Sequence, residues 1–311
     1  MRLFLFTFLL VLSGCDAPAV AGHNRGAQPL TTCEVQAPAG VTGLVAHRDG
    51  VVFQRSSTPS GLLLDRASGV GCELSVGEGA PIAVSELLDV DDQGNIFAFP
   101  AEGRQGEIST MLPGERRNSM VAKVDSSGQV TRLLGAGRGI WSFGVSPEGG
   151  SLWMTACGPN GIFTMAGMEP AMKPPETLWE QRPSVLTGNG TFWSVGLRTC
   201  LPAAAMSPDC GLALVRSTAE GSRELGITVV DFGSGLEEAS LARCGADVCG
   251  VYGSAVIVWD DEGKVLRTIV LGDLSATPSE KIAHVSGNQH GVYVLLHGEA
   301  GSRIVFVPVR G

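Results

Sequence analysis

The chain has 311 residues, 43 of them glycine, with 44% apolar and 17% charged residues and a formal net charge of −9. An acidic balance without any basic tract speaks against a nucleic-acid surface, so none is expected. Abundant glycine without long Ala/Leu/Glu/Lys stretches speaks against a helical protein and points to an all-β fold of short strands and tight turns.

The first segment is a targeting signal. Arg2 is followed by the apolar run Leu3 to Val11 and then by Leu12-Ser13-Gly14-Cys15. The run is too short to span a bilayer and reads as a signal-peptide core. With its Leu-x-Gly-Cys box it resembles a bacterial lipoprotein signal. That resemblance implies removal of residues 1–14 and a diacylglycerol on the Cys15 thiol, hence membrane attachment through a lipid. The expected address is the bacterial cell envelope, facing the periplasm or the exterior. Asp16 resembles the inner-membrane retention residue of enterobacterial lipoproteins. Residues 15–30, rich in Ala, Gly and Pro, read as a lipidated tether.

From residue 31 onward one unit recurs: two alternating apolar runs around a polar turn. It appears at Gly43–Phe53, Leu88–Phe99 (turn Asp91-Asp92-Gln93-Gly94-Asn95), Phe143–Met154 and Val185–Ser194, and more weakly at Leu241–Tyr252 and Ala283–Val294. A second pair of apolar runs follows, as in Val121–Val124 with Val130–Leu134 and Val256–Trp259 with Val265–Leu271. Strand, turn, strand, loop, strand, turn, strand is one blade of a propeller, and the spacing of roughly 40 to 60 residues suits it.

Six hairpins predict a six-bladed β-propeller over residues 31–311. The sixth blade ends on its third strand at Arg303–Pro308, so Thr31–Val35 is expected to supply the fourth and close the ring. Gly71-Cys72-Glu73-Leu74-Ser75 is read as the outer strand of blade one. A seven-bladed ring is the alternative, with its extra repeat concealed in residues 139–240. The pattern resembles the NHL, SMP-30/gluconolactonase and TolB-like propellers, on turn motifs such as Val-Asp-x-x-Gly-Asn.

Export permits disulfides. Cys244 and Cys249 bracket one hairpin turn, Cys200 and Cys210 bracket a loop, and Cys33 and Cys72 remain as a third candidate pair. Cys157 is left over and reads as a buried thiol.

Two long stretches join second to third strands, Pro100–Ser119 and Arg198–Gly211, and should share one mouth of the central channel. Arg104, Arg116, Arg117 and Arg198 are the binding-face candidates. The lactonase resemblance implies a Ca²⁺ or Mg²⁺ site at a channel mouth, for which Glu86, Glu237, Glu238 and Glu280 are the acidic candidates. No Glu-Gly-Pro motif accompanies them, and no cofactor is predicted. His47 and His284 are read as turn residues occupying the place of Asp91, and His297 as close to the mouth. Trp141, Trp153 and Trp193 are read as packing between blades. The expected role is a monomeric binding or scaffold module for a protein or small ligand. The alternative is a metal-dependent, lactonase-like hydrolase or lyase.

Overall fold

The computed structural model describes residues 31–56, 62–77, 82–100, 120–135, 140–156, 161–164, 170–172, 178–187, 191–198, 212–218, 221–226, 240–252, 254–274 and 276–308. The segments assigned to signal and tether, Cys15 included, lie outside them. Strands dominate, and the described helical structure is confined to two short 3-10 turns, Gly71–Glu73 and Leu271–Leu274.

The strands fall into six successive antiparallel units. The first holds β1 (Cys33–Val35) apart from β2 (Val41–His47), β3 (Gly50–Ser56), β4 (Leu62–Ser68) and the two-residue β5 (Ser75–Val76). The second is β6 (Ile82–Val90), β7 (Ile96–Pro100), β8 (Met120–Val124) and β9 (Val130–Gly135). The third is β10 (Ile140–Val145), β11 (Ser151–Ala156), β12 (Gly161–Thr164) and β13 (Pro170–Met172). The fourth is β14 (Leu178–Leu186), β15 (Phe192–Arg198), β16 (Leu212–Thr218) and β17 (Gly221–Gly226). The fifth is β18 (Ser240–Cys244), β19 (Asp247–Tyr252), β20 (Ala255–Trp259) and β21 (Val265–Val270). The sixth is β22 (Lys281–Asn288), β23 (Gly291–Gly298) and β24 (Gly301–Pro308).

Hydrogen bonding merges units one and two through β4 and β6, and units five and six through a parallel bridge of Cys244 to Gly287. Units three and four stand as separate four-stranded sheets, so the irregular 139–240 region holds two described units.

Strand β1 lies where the chain's two ends were expected to meet. It pairs antiparallel with β24, Cys33 opposite Phe306, Glu34 opposite Val305 and Val35 opposite Ile304. The expected outer strand of the first unit is different. Gly71–Glu73 turns as a 3-10 segment, and only Ser75–Val76 pairs with β4. Gly71 has φ +63 and faces the Phe306 ring, a conformation and a closeness that suit glycine.

The core follows from the period-2 pattern of the first two strands of each unit. Second-strand residues opposite equivalent first-strand positions are mostly aromatic: Phe97 opposite Asp89, Trp153 opposite Gly144, Trp193 opposite Val185 and Tyr293 opposite Ser286. All four are 0% exposed. Trp153 stacks on Phe192 of the next unit at 3.6 Å between centroids, and Tyr293 meets Phe306 at 4.9 Å. Trp153 therefore packs between units, Trp193 is fully buried, and the Trp141 side chain lies outside the described set. The first unit places Val52 at this position, and the fifth places Cys249, bonded to Cys244.

Two side chains tie the sixth unit to the first. The Tyr293 hydroxyl accepts the Gly71 N–H at 2.8 Å, and a disulfide joins Cys33 to Cys72. Cys157, Cys200 and Cys210 lie outside the described residues.

Tyr293→Phe leaves the buried Gly71 N–H without its acceptor and should cost about 1–3 kcal/mol. Trp153→Ala should cost about 3–5 kcal/mol through the cavity it opens. Urea denaturation of both variants tests the order, and a Tyr293→Phe loss exceeding that of Trp153→Ala would contradict this account of the core.

Candidate functional site

The first strands are laddered mainly along one edge, apart from residues 82–84 of β6 beside β4 and the single Cys244–Gly287 bridge, so much of the other edge carries backbone groups that need partners. These bare edges lie side by side: β2 packs beside β6 and β22, β10 beside β6 and β14, and β18 beside β14 and β22. Side chains supply what the missing strand would have supplied. The Val145 N–H donates to Asp89 Oδ2 at 2.7 Å, and the Ala46 N–H donates to Ser286 Oγ at 2.9 Å. The two bonds are equivalent, because Asp89 and Ser286 each stand two residues before their turn, and each serves the next unit in the order.

Arg243 on β18 completes the arrangement. Its Nη1 donates to the Val145 carbonyl at 2.9 Å and its Nη2 to the Val90 carbonyl at 2.5 Å. One guanidinium thus bridges β18 to β6 and β10, strands from three different units. Asp89 Oδ1 lies 3.8 Å from Nη2 and accepts the Val90 N–H at 2.8 Å. Arg243 is 6% exposed and Asp89 8%. Burial pushes the Asp89 carboxyl up, opposed by Arg243 and by the N–H groups of Val145 and Val90.

The hairpin turns lie just beyond this cluster. Asp91 Oδ1 accepts the N–H groups of Gln93 and Asn95, and Oδ2 accepts the Asn95 amide at 2.7 Å. The neighbouring turn packs against it: Asp92 N donates to the Pro147 carbonyl, and a Cβ on Gly149 would lie 2.7 Å from Asp91 Oδ2. Arg66 donates to the carbonyls of Gly94 and Asp125, and Asn288 donates to that of His47. His47 accepts the Asp49 N–H in its turn, and burial lowers its pKa. His284 does not share that place. Asn288 opens the sixth turn, while His284 stands four residues earlier, opposite Leu295 after a register shift in β22.

The opposite ends of the same strands are built differently. Register shifts occur between Val41 and Gly43 on β2, Val84 and Glu86 on β6, Ile140 and Ser142 on β10, Leu178 and Gln181 on β14, and Ile282 and His284 on β22. Bulges break regular pairing and re-aim side chains, and they gather near functional sites. Two polar atoms there are buried without a hydrogen-bond partner, His284 Nδ1 and Ser240 Oγ. Burial holds the His284 imidazole at about 4, so it is neutral at physiological pH. His297 Nε2 meets the Val41 carbonyl at 3.3 Å.

Of the acidic candidates, Glu86 and Glu280 are described. Glu86 is exposed on β6, with its pKa raised by desolvation. Glu280 instead forms an ion pair with Arg303, its Oε1 accepting from Nε at 2.7 Å, and its Oε2 accepts the Thr277 N–H. The Arg303 hydrogen bond, foremost among the causes, holds Glu280 at about 2. Among the described residues no three His, Cys, Asp or Glu side chains form a metal-holding group. Glu237, Glu238, Arg104, Arg116 and Arg117 lie outside the described residues, as does the Arg198 side chain at the end of β15.

No family model matches the chain, and no curated protein matches it. Solved structures do resemble it. One is PorZ, described as an essential bacterial surface component of the type-IX secretion system of Porphyromonas gingivalis, at 10% identity and TM-score 0.42. The match covers 88% of this chain and 34% of PorZ, so the chain spans about a third of that protein. A structural-genomics protein of unknown function from Bacteroides thetaiotaomicron matches at 12% identity and TM-score 0.49, over 89% of this chain and 72% of its own. KlAtg21, solved with the coiled coil of AgAtg16, matches at 10% identity and TM-score 0.49, over 83% and 80%. At such identities and scores no activity or partner transfers.

Arg243→Met leaves two carbonyls and a buried carboxylate without their partner, and should cost about 3–5 kcal/mol. In the Arg243→Met, Asp89→Asn double variant part of that loss should return, because the stranded charge is gone while the amide oxygen still accepts a backbone N–H. A single-variant loss under about 1 kcal/mol in urea denaturation would refute the bridging role.

The pH dependence has a definite sign. His284 binds its proton near 6.5 when unfolded and near 4 when folded, so its contribution to stability shrinks as pH falls between those values. Glu280 contributes fully above about 4.5 and loses that contribution towards 2. Asp89, raised by burial, works the other way. His284→Gln should flatten the profile between pH 6.5 and 4 relative to the parent protein, and parallel profiles would refute the assignment.

Proposed function

We propose that the chain is a six-bladed β-propeller lipoprotein, held outside the cytoplasm by a lipid on Cys15. It serves there as a binding or scaffold module for a protein or small ligand. The ring reading is supported by the order of adjacent first strands, which runs from β2 through β6, β10, β14, β18 and β22 and returns to β2, with β1 completing the sixth unit. The extracytoplasmic reading is supported by the disulfides Cys33–Cys72 and Cys244–Cys249, which persist in oxidising compartments. No helix among the described residues is long and apolar enough to cross a membrane, and the lipid reading requires none.

The observation that carries the binding role is the contrast between the two ends of the first strands. At the turn end Arg243, Asp89 and the turn residues hydrogen-bond one another and the backbone. At the entry end five of the six first strands, all but β18, shift register, and His284 Nδ1 on β22 and Ser240 Oγ on the regular β18 are buried without hydrogen-bond partners. Residues 101–119 follow β7 and residues 199–211 follow β15, and both strands run back towards that entry end. The ligand therefore meets the entry end, and the reading requires no cofactor, nucleic acid or second copy.

Two experiments test the two parts. Cys15→Ala should abolish palmitate labelling and release the protein from the membrane fraction, and a variant still labelled and membrane-bound would sink the anchor. A photo-crosslinking residue at Glu86 should capture a discrete adduct in intact cells, whereas one at Gln93 in the turn should not. Equal capture at both positions, or capture at Gln93 alone, would place binding elsewhere.

A further inference from the structure

We infer that the Cys33–Cys72 disulfide is a redox-sensitive latch on the strand that joins the chain's beginning to its end. Strand β1 has three residues, and its pairing with β24 covers only Ile304, Val305 and Phe306 of an eight-residue strand. Besides those pairs it is held by Val35, which is 2% exposed in a cluster with Ile304 and Phe306, by the attraction of Glu34 to Arg303, and by the disulfide itself. A three-residue edge strand is short for independent stability. Everything N-terminal to Thr31 enters the domain through this strand. A pull on that segment therefore reaches Cys33 first, and the bridge passes it to the 3-10 turn after β4.

The two described bridges differ in access. Cys72 is exposed and Cys33 half-buried, whereas Cys244 and Cys249 are 2% and 0% exposed. Exchange requires a thiolate to reach a disulfide sulfur, so access selects the first bridge. A dithiol reductant of the thiol–disulfide exchange class supplies the electrons. One of its thiolates attacks Cys72 Sγ, the Sγ–Sγ bond breaks, and Cys33 leaves as a thiolate that takes up a proton. The second thiol of the reductant then attacks the mixed disulfide and frees Cys72. Two electrons and two protons pass to the protein, and the reductant ends as its own disulfide.

Reduction removes the covalent hold but leaves Tyr293 on Gly71, Ser286 on Ala46 and Asn288 on His47, so the sixth and first units stay together. The opening is confined to β1 and the β24 edge beneath it. This inference rests on neither lipidation nor ligand binding.

The full chain, folded and oxidised, is titrated with dithiothreitol under native conditions, alkylated and mapped cysteine by cysteine, with hydrogen exchange followed in parallel. Cys33 and Cys72 should be alkylated at reductant levels that leave Cys244 and Cys249 unlabelled. Exchange at 33–35 and 304–306 should then rise roughly tenfold or more, while 255–259 and 292–294 stay protected. The Cys33→Ser, Cys72→Ser variant should show the same local pattern without reductant. Simultaneous reduction of both bridges, unchanged exchange at 33–35 after selective reduction, or a rise that spreads to 255–259 would each overturn the latch.

Discussion

The structure depends on how bare strand edges at its centre find partners. Each first strand leaves N–H and C=O groups on the side away from its neighbour, and burying them unpaired would cost a hydrogen bond's worth of free energy apiece. Among the described residues, backbone pairing between adjacent first strands is limited to a single bridge, Cys244 to Gly287. Side chains therefore take over, with acceptors at Asp89 and Ser286 and a donor at Arg243. The residue types fit the task. A planar guanidinium offers several N–H groups in a fixed fork and can serve carbonyls on two strands together, which an ammonium on a flexible stem does less well. A buried ion pair is weak evidence of net stability, because an apolar pair of similar volume often matches it. Its contribution is to fix which strands face one another and at what height.

Around that centre the aromatic position on each second strand sets how closely neighbouring units approach. Phe97, Trp153, Trp193 and Tyr293 are among the largest fully buried side chains, and each such ring removes on the order of 150–250 Å² from water. Where the fifth unit has Cys249 instead, a disulfide to Cys244 occupies the place. Gly287 accommodates it, since a Cβ there would lie 2.7 Å from Cys244 Sγ. The loss of a ring and the gain of a bridge at equivalent places are one adjustment of packing. The exposed ion pair of Arg48 with Asp49, at 3.4 Å, contributes little by comparison.

Much of this was legible in the chain because hairpins are local. The Asp-x-x-Gly turns and the alternation around them depend on a dozen consecutive residues, and β6 with β7 or β22 with β23 can be read directly. The pairing of β1 with β24 was legible for another reason: a unit one strand short needs a donor, and the segment near Cys33 was unassigned. Arg243 was not legible. In Ser-Leu-Ala-Arg-Cys it reads as one polar residue on a strand, and its partners Val145 and Val90 stand 98 and 153 residues away. Glu280 was read for metal chemistry from its place before an inner strand, yet Arg303 on β24 claims it. His284 was read a full four residues too close to its turn, which opens at Asn288, because His-Val-Ser there resembles the start of the other hairpins.

The two ends of the first strands carry opposite physical characters, and that bears on where a ligand can act. At the turn end Arg243, Asp89 and the turn residues are engaged with one another and with backbone, so a ligand reaching Arg243 would have to break it from two carbonyls and a carboxylate before gaining a contact. At the bulged end regular pairing has been surrendered already, and burial has kept the His284 imidazole neutral with one ring nitrogen unpartnered. A ligand that hydrogen-bonds there replaces nothing. Under the proposed binding role, recognition falls to the end of these strands where His284 Nδ1 still has hydrogen-bonding capacity to offer.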